Sequence, residues 1–213
     1  LFRSAIVIRT SLSGLPWRIA SECRSSIINA GDGRHEHPTQ ALLDLHTIRT
    51  HVGTLEGCRV AIVGDISNSR VARSNLHGLL AMGAQVSLVG PPGMVDSSFQ
   101  EIASHGRAVV SHDLDAVLDG VDAVMMLRIQ RERAAGQAIG TDYRRAFGMT
   151  IDRAAAMAPE VPILHPGPVN RGVELDGEVA DLMDRSLILD QVRRGTAVRM
   201  AVVEAALAES VGG

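Results

Sequence analysis

Arginines stand close after apolar runs at three places in the sequence. Arg9 and Arg128 follow such runs directly, and Arg70 follows a third apolar run after a short loop. Runs of this length are typical of buried strands, and ligands of open α/β sheets bind beyond the carboxyl ends of the strands. Each arginine alone is equally explained as a solvated strand end. Together they favour an anion-binding pocket, since a guanidinium can hold a carboxylate through two parallel hydrogen bonds.

The segment His35-Glu36-His37-Pro38-Thr39-Gln40 is a second candidate for chemistry. Its histidine spacing is not the i, i+4 spacing of a helical zinc site, so we expect no metal there. Pro38 suits the first turn of a helix. The segment is either a plain polar helix start or a place where His37, Gln40 and free backbone N–H groups meet a polar or anionic ligand.

Two further turns follow apolar runs. Gly64 opens the sequence Gly-Asp-Ile-Ser-Asn-Ser, which lacks the later glycines of the G-x-G-x-x-G fingerprint, so a nicotinamide enzyme is disfavoured. The run 161–164 leads into His165-Pro166-Gly167-Pro168, another polar strand end. The charges at Arg131 and Arg133 are more simply a solvated helix face.

The composition is that of an ordinary globular chain. Its 213 residues are 46% hydrophobic and only 2% aromatic, so aliphatic side chains must fill the core. The net charge of −3 gives no global basic field for nucleic acid. Cys23 and Cys58 form no CxxC pair, which disfavours zinc and disulfides and fits a reducing cytoplasm. No apolar run has the length of a membrane helix.

The hydrophobic pattern alternates strands with helices. This rhythm predicts an α/β fold with an open, doubly wound, Rossmann-like parallel sheet, together with the end of a second α/β domain. The predicted strands are 5–8, 26–29, 60–63, 85–89, 109–110, 123–127 and 161–164. The predicted helices are 17–24, 38–49, 69–82, 97–105, 114–118 and 196–209.

These elements divide the chain into four parts. Residues 1–36 are expected to end one domain, and residues 37–52 to form a helix between domains. Residues 53–188 are expected to form a complete α/β domain, and the helix within 189–213 to pack back on the first domain.

Four motifs, in order along nearly the whole chain, make it resemble the aspartate and ornithine carbamoyltransferases. The motifs are Asn29-Ala30-Gly31-Asp32-Gly33 with His37-Pro38-Thr39-Gln40-Ala41-Leu42-Leu43-Asp44; Val63-Gly64-Asp65 with Ser69-Arg70-Val71-Ala72-Arg73-Ser74; Leu127-Arg128-Ile129-Gln130-Arg131-Glu132-Arg133; and His165-Pro166-Gly167-Pro168-Val169-Asn170-Arg171-Gly172-Val173-Glu174. The last is similar to the aspartate branch, because the ornithine branch carries Cys-Leu-Pro after that histidine.

The resemblance implies a role for each matching residue. Residues 1–36 would belong to a carbamoyl-phosphate-binding domain and residues 53–188 to an aspartate-binding domain. Arg9 and His37 would be catalytic as well as contacting carbamoyl phosphate. The implied carbamoyl-phosphate contacts are Arg9, His37, Gln40, Gly167 and Pro168. The implied aspartate contacts are Arg70, Arg128 and Gln130.

The implied activity is carbamoyl transfer from carbamoyl phosphate to the α-amine of L-aspartate, an early step of pyrimidine biosynthesis in the cytoplasm. It needs no cofactor and no metal. The resemblance also implies a homotrimer, in some members joined by regulatory chains or dihydroorotase, with no nucleic-acid or membrane partner.

Three departures from the family pattern leave alternatives open. The family's Ser-Thr-Arg-Thr phosphate loop and its lysine-bearing loop are absent from these 213 residues, and Thr10 stands where a histidine is expected. We therefore expect these residues alone to turn over little. The alternatives are an ornithine carbamoyltransferase, or a non-catalytic, truncated homologue that serves as an assembly partner.

Overall fold

The protein was examined in a computed structural model, which describes residues 4–96, 98–102, 108–129 and 141–209. The strands are β1 (Ala5–Thr10), β2 (Ser26–Asp32), β3 (Arg59–Val63), β4 (Gln85–Val89), β5 (Ala108–Ser111), β6 (Ala123–Met126) and β7 (Ile163–Leu164). The helices are α1 (Leu15–Glu22), α2 (Pro38–Val52), α3 (Arg70–Ala81), α4 (Ser98–Ile102), α5 (Leu114–Leu118), α6 (Thr141–Phe147), α7 (Ile151–Ala156), α8 (Gly177–Ala180) and α9 (Ile188–Glu209).

The described strands form two parallel sheets. The larger has the order β5-β4-β3-β6-β7, and the smaller pairs β1 with β2. In the larger sheet the chain first moves outward from β3 to β4 and β5, then returns to β6 on the other side of β3. Such a reversal leaves a crevice beyond the carboxyl ends of the two central strands. The prediction of an open, doubly wound parallel sheet is confirmed.

Alternation along the central strand divides the core between the two faces of the sheet. Val60 and Ile62 of β3 pack with α2, α3 and α4 on one face. Ala61 and Val63 pack with α5, α6, α7 and α8 on the other face. These four residues are at most 1% exposed, as expected for a parallel strand covered on both sides.

Helices α2 and α9 connect the two sheets. Both contact β2 of the smaller sheet, and α9 also contacts β1, β7 and α2. At the far end of α9, Ser26 Oγ donates to the carbonyl of Ala206. The small sheet is therefore attached to the large one mainly through these two helices.

The structure differs from the sequence prediction at several elements. Helix α9 begins at Ile188, eight residues before the predicted start at Thr196, and α6, α7 and α8 were not predicted. Arg9 lies inside β1 rather than at its end. Of the helix predicted over 97–105, the segment Ser98–Ile102 is observed and the remainder lies outside the described residues.

Candidate functional site

A polar cavity of about 480 Å³ is lined by residues of both sheet regions. It is bordered by β1, the loop after β2, the starts of α2 and α3, the segments after β3, β6 and β7, and α9. Its lining residues are Arg9, Gly33, His37, Gln40, Asn68, Ser69, Arg70, Val71, Leu127, Arg128, Pro166, Gly167, Pro168 and Arg199. All but one of the predicted site residues meet here; Gln130 lies outside the described residues.

The crevice of the large sheet supplies two arginines. β3 and β6 are neighbours, with Val63 paired to Met126, so the segments that follow them emerge side by side. Arg128 closely follows β6, whereas Arg70 is the first residue of α3. Ser69 caps that helix by accepting a hydrogen bond from the Ala72 N–H at 3.1 Å. The cap fixes where α3 begins and therefore where the Arg70 side chain leaves the backbone.

Glycines make room for this arrangement. A β-carbon on Gly64, which has a φ of +140°, would lie 2.9 Å from Cβ of Leu127. A β-carbon on Gly31 would lie 2.9 Å from Cζ of Arg70. Both separations are too short for a carbon atom. The turn after β3 can thus sit against the segment after β6, and the Arg70 guanidinium can cross the loop after β2 and donate to the carbonyl of Gly33 at 3.3 Å.

Asp32 shapes that loop. Its fully buried carboxylate accepts from the Gly14 N–H at 2.6 Å, from Asn29 Nδ2 at 2.9 Å and from the Glu36 N–H at 3.0 Å, and His35 Nδ1 lies 3.0 Å away. Burial raises the pKa of this carboxyl group, but the hydrogen bonds outweigh burial and hold the pKa below its ordinary value. The sequence Asn-Ala-Gly-Asp-Gly thus forms a self-bonded end of β2 that holds Gly31 and Gly33 beside Arg70.

His37 is the N-cap residue of α2. Burial lowers the pKa of its imidazole to about 4, and the nearby positive charges of Arg70, Arg9 and Arg199 act in the same direction. At neutral pH the ring is therefore uncharged, with one N–H donor and one acceptor nitrogen. A neutral imidazole among arginines can donate to a carbonyl oxygen without adding a charge.

Two backbone N–H groups at the start of α2 already have partners within the protein. The His37 N–H donates to Ser74 Oγ at 2.8 Å, and the Gln40 N–H donates to the His37 carbonyl at 3.0 Å. Pro38 has no N–H. The His37 contact uses a side chain of α3 to satisfy a backbone group of α2. The imidazole and the Gln40 carboxamide are the groups left for a ligand.

The loop after β7 lines the cavity with backbone. Gly167 has a φ of +69°, in the left-handed region that favours glycine, and its N–H donates to His165 Nδ1 at 2.9 Å. The ring of His165 is buried against Glu174, with Nε2 3.3 Å from a carboxylate oxygen. Pro168 follows through a cis peptide bond. The buried His165 thus anchors the start of the loop, and Pro166, Gly167 and Pro168 line the cavity.

Arg199 lines the cavity but was missed by the sequence reasoning. It lies in the middle of α9, a segment interpreted only as an apolar packing helix. Its neighbourhood in the sequence does not resemble a strand end. It stands four residues after Gly195 and three before Val202, so the three share one side of the helix. That spacing is the one local signal that could have indicated it.

The cavity therefore concentrates positive charge. Arg9, Arg70, Arg128 and Arg199 all line it, although the whole chain carries a net charge of −3. Arg9 also donates to the carbonyl of Ala30 at 3.0 Å, which holds it beside the last residues of β2. Within the described ranges, no group of three or more His, Cys, Asp or Glu side chains is placed to hold a metal ion. Small anions are the ligands that this arrangement suits best.

Fold and site together define an open α/β protein with an arginine-lined cavity at the reversal point of its parallel sheet. Residues 56–206 match the Asp/Orn-binding domain of aspartate/ornithine carbamoyltransferases, and residues 1–50 match the carbamoyl-P-binding domain of the same family. The chain belongs to the aspartate/ornithine carbamoyltransferase family. The resemblance stated from its motifs is confirmed.

Curated relatives share about half of their matched residues with this chain. The aspartate carbamoyltransferase catalytic subunit of Granulibacter bethesdensis is 50% identical over 202 residues, which are 94% of this chain and 63% of the relative. That of Acidothermus cellulolyticus is 51% identical over 201 residues, 93% of this chain and 61% of the relative. The chain thus spans less than two thirds of the length of these relatives.

Solved structures of both branches of the family share the fold. The catalytic subunit of M. jannaschii aspartate transcarbamoylase superposes with a TM-score of 0.82 at 28% identity, covering 98% of this chain and 68% of that one. Trypanosoma cruzi aspartate transcarbamoylase in complex with aspartate and phosphate gives 0.77 at 29% identity, covering 97% and 64%. Ornithine carbamoyltransferase from Gloeobacter violaceus gives 0.80 at 28% identity, covering 95% and 69%.

Among the helices that the structure describes, none has the length and apolar character needed to cross a membrane.

Proposed function

We propose that this chain carries the aspartate-binding half, and part of the carbamoyl-phosphate site, of an aspartate carbamoyltransferase. The reaction joins the carbamoyl group of carbamoyl phosphate to the α-amine of L-aspartate and releases phosphate. The observation that carries the proposal is the convergence of Arg9, Arg70, Arg128 and Arg199 on one cavity with His37 and Gln40. Both substrates are anions, and one is a dicarboxylate that needs two cationic partners.

His37 and Arg9 are proposed to act on the carbamoyl group. As the amine attacks the carbamoyl carbon, negative charge grows on the carbonyl oxygen, and donors aimed at that oxygen stabilise the transition state. One such donor typically contributes ~10²–10³ in rate. The lowered pKa of His37 supports a neutral N–H donor in this role. Gln40 and the carbonyls of Gly167 and Pro168 are proposed to hold the carbamoyl NH₂.

Arg70 and Arg128 are proposed to bind the two carboxylates of aspartate, with Gln130 assisting. Arg70 is held by the loop after β2 and Arg128 by the end of β6, so the two guanidinium groups approach the cavity from different elements. Two fixed cations would orient the α-amine toward the carbamoyl carbon, and such orientation is a large source of rate acceleration.

The assembly and cell compartment belong to the same proposal. We propose that residues 1–36 belong to the carbamoyl-phosphate domain, 37–52 to the interdomain helix, 53–188 to the aspartate domain and 189–213 to a helix packed back on the first domain. A cytoplasmic homotrimer is proposed from the family relationship. Sedimentation equilibrium checks the assembly: a concentration-independent monomer contradicts it.

Calorimetry with substrate analogues tests the ligand assignment. Succinate carries the two carboxylates of aspartate, whereas norvaline resembles ornithine. In the presence of phosphate the chain should bind succinate in preference to norvaline. Arg128→Gln should weaken succinate binding by about 2–3 kcal/mol, the size of a lost charge-assisted pair. Arg59→Gln, at the opposite end of the sheet, is the matched control and should bind normally.

Preference for norvaline would instead assign the chain to the ornithine branch. Absence of binding for both analogues, together with normal folding, would favour a non-catalytic assembly partner. The assay of carbamoyl-aspartate formation completes the test, since turnover that survives Arg128→Gln unchanged contradicts the proposed role of that arginine.

A further inference from the structure

Asp44 is a buried carboxylate beneath the cavity that the proposed reaction does not use. It lies on α2, one turn after Gln40, and is completely inaccessible to solvent. Oδ1 accepts from Gln40 Nε2 at 2.9 Å and from Gln191 Nε2 at 2.8 Å. Oδ2 accepts from Asn75 Nδ2 at 2.9 Å. One carboxylate thus collects amide donors from three helices.

The direction of these hydrogen bonds is fixed by a backbone group. The His165 N–H can only donate, and it donates to Gln191 Oε1 at 2.9 Å. The NH₂ of Gln191 must then face Asp44, because the amide oxygen is already turned toward His165. Asp44 must in turn be an acceptor. Because Asp44 is the acceptor, the NH₂ of Gln40 must face it, and the side-chain oxygen of Gln40 is turned away from it.

We infer that Asp44 is a positioning residue, which orients the Gln40 carboxamide and, through Gln191, holds the backbone where the Pro166–Pro168 loop begins. The inference rests on the proposed function, since Gln40 and this loop form the proposed carbamoyl side of the cavity. Two of the three hydrogen bonds of Asp44, those from Gln40 and Gln191, therefore lead to this subsite, and the third comes from Asn75 of α3.

Asp44 is ionised above neutral pH although it is completely buried. Burial raises the pKa of the carboxyl group to about 6, although hydrogen bonds from Asn75, Gln191 and Gln40 and the charge of Arg199 oppose the rise. The group is thus mostly a carboxylate above neutral pH. A buried carboxylate is an unfavourable choice for stability alone, because packed apolar side chains of similar volume are often as stable or more so.

Two substitutions of Asp44 separate positioning from folding. Asp44→Leu keeps the branched shape of the side chain, with methyl groups in place of both oxygens, so Gln40 and Gln191 lose their acceptor. Asp44→Asn keeps one side-chain oxygen. In the position of Oδ1 this oxygen accepts from both Gln40 and Gln191, and the new NH₂ then faces Asn75. In the position of Oδ2 it accepts from Asn75 alone. Gln191→Met removes the connection between Asp44 and His165, both of whose hydrogen bonds are made by Gln191, and leaves Gln40 and Asn75 bonded to Asp44.

The experiment uses the full 213-residue chain and makes two measurements. NMR follows amide hydrogen exchange at His165, and steady-state kinetics follows the reaction of carbamoyl phosphate with aspartate. Both are made at about pH 8, where the carboxylate form of Asp44 prevails. In Asp44→Leu we expect exchange at His165 to be about tenfold faster, as for the loss of one buried hydrogen bond. We expect kcat to fall about 10²-fold, with KM for aspartate within about twofold of wild type. Gln191→Met should show the faster exchange as well. Asp44→Asn should lose thermal stability yet keep exchange and kcat close to wild type.

Thr47→Val is the matched control, because Thr47 is a buried polar residue whose hydroxyl donates to the Leu43 carbonyl within the same helix. It should leave His165 exchange unchanged. Wild-type exchange and kinetics in Asp44→Leu overturn the inference, and so does Asp44→Asn that is as impaired as Asp44→Leu. If Asp44→Leu does not fold, unchanged His165 exchange in Gln191→Met overturns it. If the 213 residues alone turn over too little for kinetics, His165 exchange still decides the role of Asp44, whereas the proposed function is contradicted when a folded chain does not bind succinate.

Discussion

The guanidinium of Arg70 lies in the space that a side chain at Gly31 would need: a β-carbon on Gly31 would lie 2.9 Å from Cζ of the arginine and 3.0 Å from its Nε. The atoms that would be displaced are at the flexible end of a side chain. We therefore expect Gly31→Ala to move the guanidinium and to weaken succinate binding about tenfold, since a displacement of ~1 Å at a binding group has effects of this size or larger. Calorimetry measures the loss.

Gly53→Ala controls for backbone strain in that experiment. Gly53 has a φ of +91° and would place its β-carbon in open space, whereas Gly31 has a φ of +115° and would meet Arg70. Both substitutions carry roughly 1–2 kcal/mol of left-handed strain. Equal succinate affinity in the two variants would show that Gly31 acts only through the backbone.

The imidazole of His37 should titrate far below the ordinary range. Because burial and the neighbouring arginines lower its pKa to about 4, the ring signal of the ligand-free protein should remain that of a neutral histidine from about pH 8 to about pH 5. Between about pH 6.5 and 4 the unfolded chain binds a proton that the folded chain does not, so this group makes stability fall as the pH is lowered. His37→Gln should remove that part of the pH dependence. An NMR midpoint near the ordinary value of 6.5 contradicts the prediction.

Arg199 should contribute to the same electrostatic environment. Arg199→Gln removes one of the charges that lower the pKa of His37, so that pKa should rise. Anion affinity should fall by about 1 kcal/mol, or roughly fivefold, the size of one partly solvated charge. Arg193→Gln is the control on the same helix, because that side chain is 75% exposed and pairs with Asp190. Identical His37 titrations in both variants would rule out the role of Arg199.

Arg153 is expected to matter for stability rather than for ligand binding. It donates to the carbonyls of Arg145 and Gly148 at 2.9 and 2.7 Å, so it closes the end of α6, and its side chain is only 14% exposed. Arg153→Met should destabilise the fold by about 2–3 kcal/mol, because these carbonyls lose a charged donor. Thermal unfolding should shift by roughly 5–10 °C.

The matched variant Arg145→Met removes an arginine of which 83% of the side chain is exposed. Exposed pairs contribute little, so its unfolding temperature should be close to that of wild type. Succinate affinity should be unchanged in both variants; a selective loss in Arg153→Met would place this arginine in the site.

The large sheet could be predicted well because each of its strands is an apolar run bounded by turn residues. The prediction of element boundaries failed where contacts between segments distant in the sequence decide the structure. Helix α9 was predicted only from Thr196, although it begins at Ile188 and includes Gly195. In the structure a β-carbon on Gly195 would lie 2.5 Å from Nη1 of Arg199, so the missing side chain leaves room for that arginine along the helix. The low helix propensity of glycine is overridden here by the tertiary arrangement.

The site was predicted in a similar way. Arg70, Arg128 and the 165–168 loop could be identified because they follow strands, whose polar ends obey a simple rule. Arg9 was identified by the same rule, although it lies within β1, one residue before its end. Arg199 and Asp44 have no such local signal. Their roles depend on which helix faces which, and a single sequence does not state that.

The hydrogen bonds of Asp44 to Gln40, Asn75 and Gln191 also constrain the order in which the parts of the fold form. Its partners lie 4, 31 and 147 residues away along the chain. By loop-closure entropy alone, meeting Gln191 costs about 3 kcal/mol more than meeting Gln40. The connection between α2 and α9 should therefore form late in folding, after the large sheet has shortened the effective separation. A nascent chain still lacking α9 would carry the arginines of the two sheets without the contact that holds the β7 loop in place.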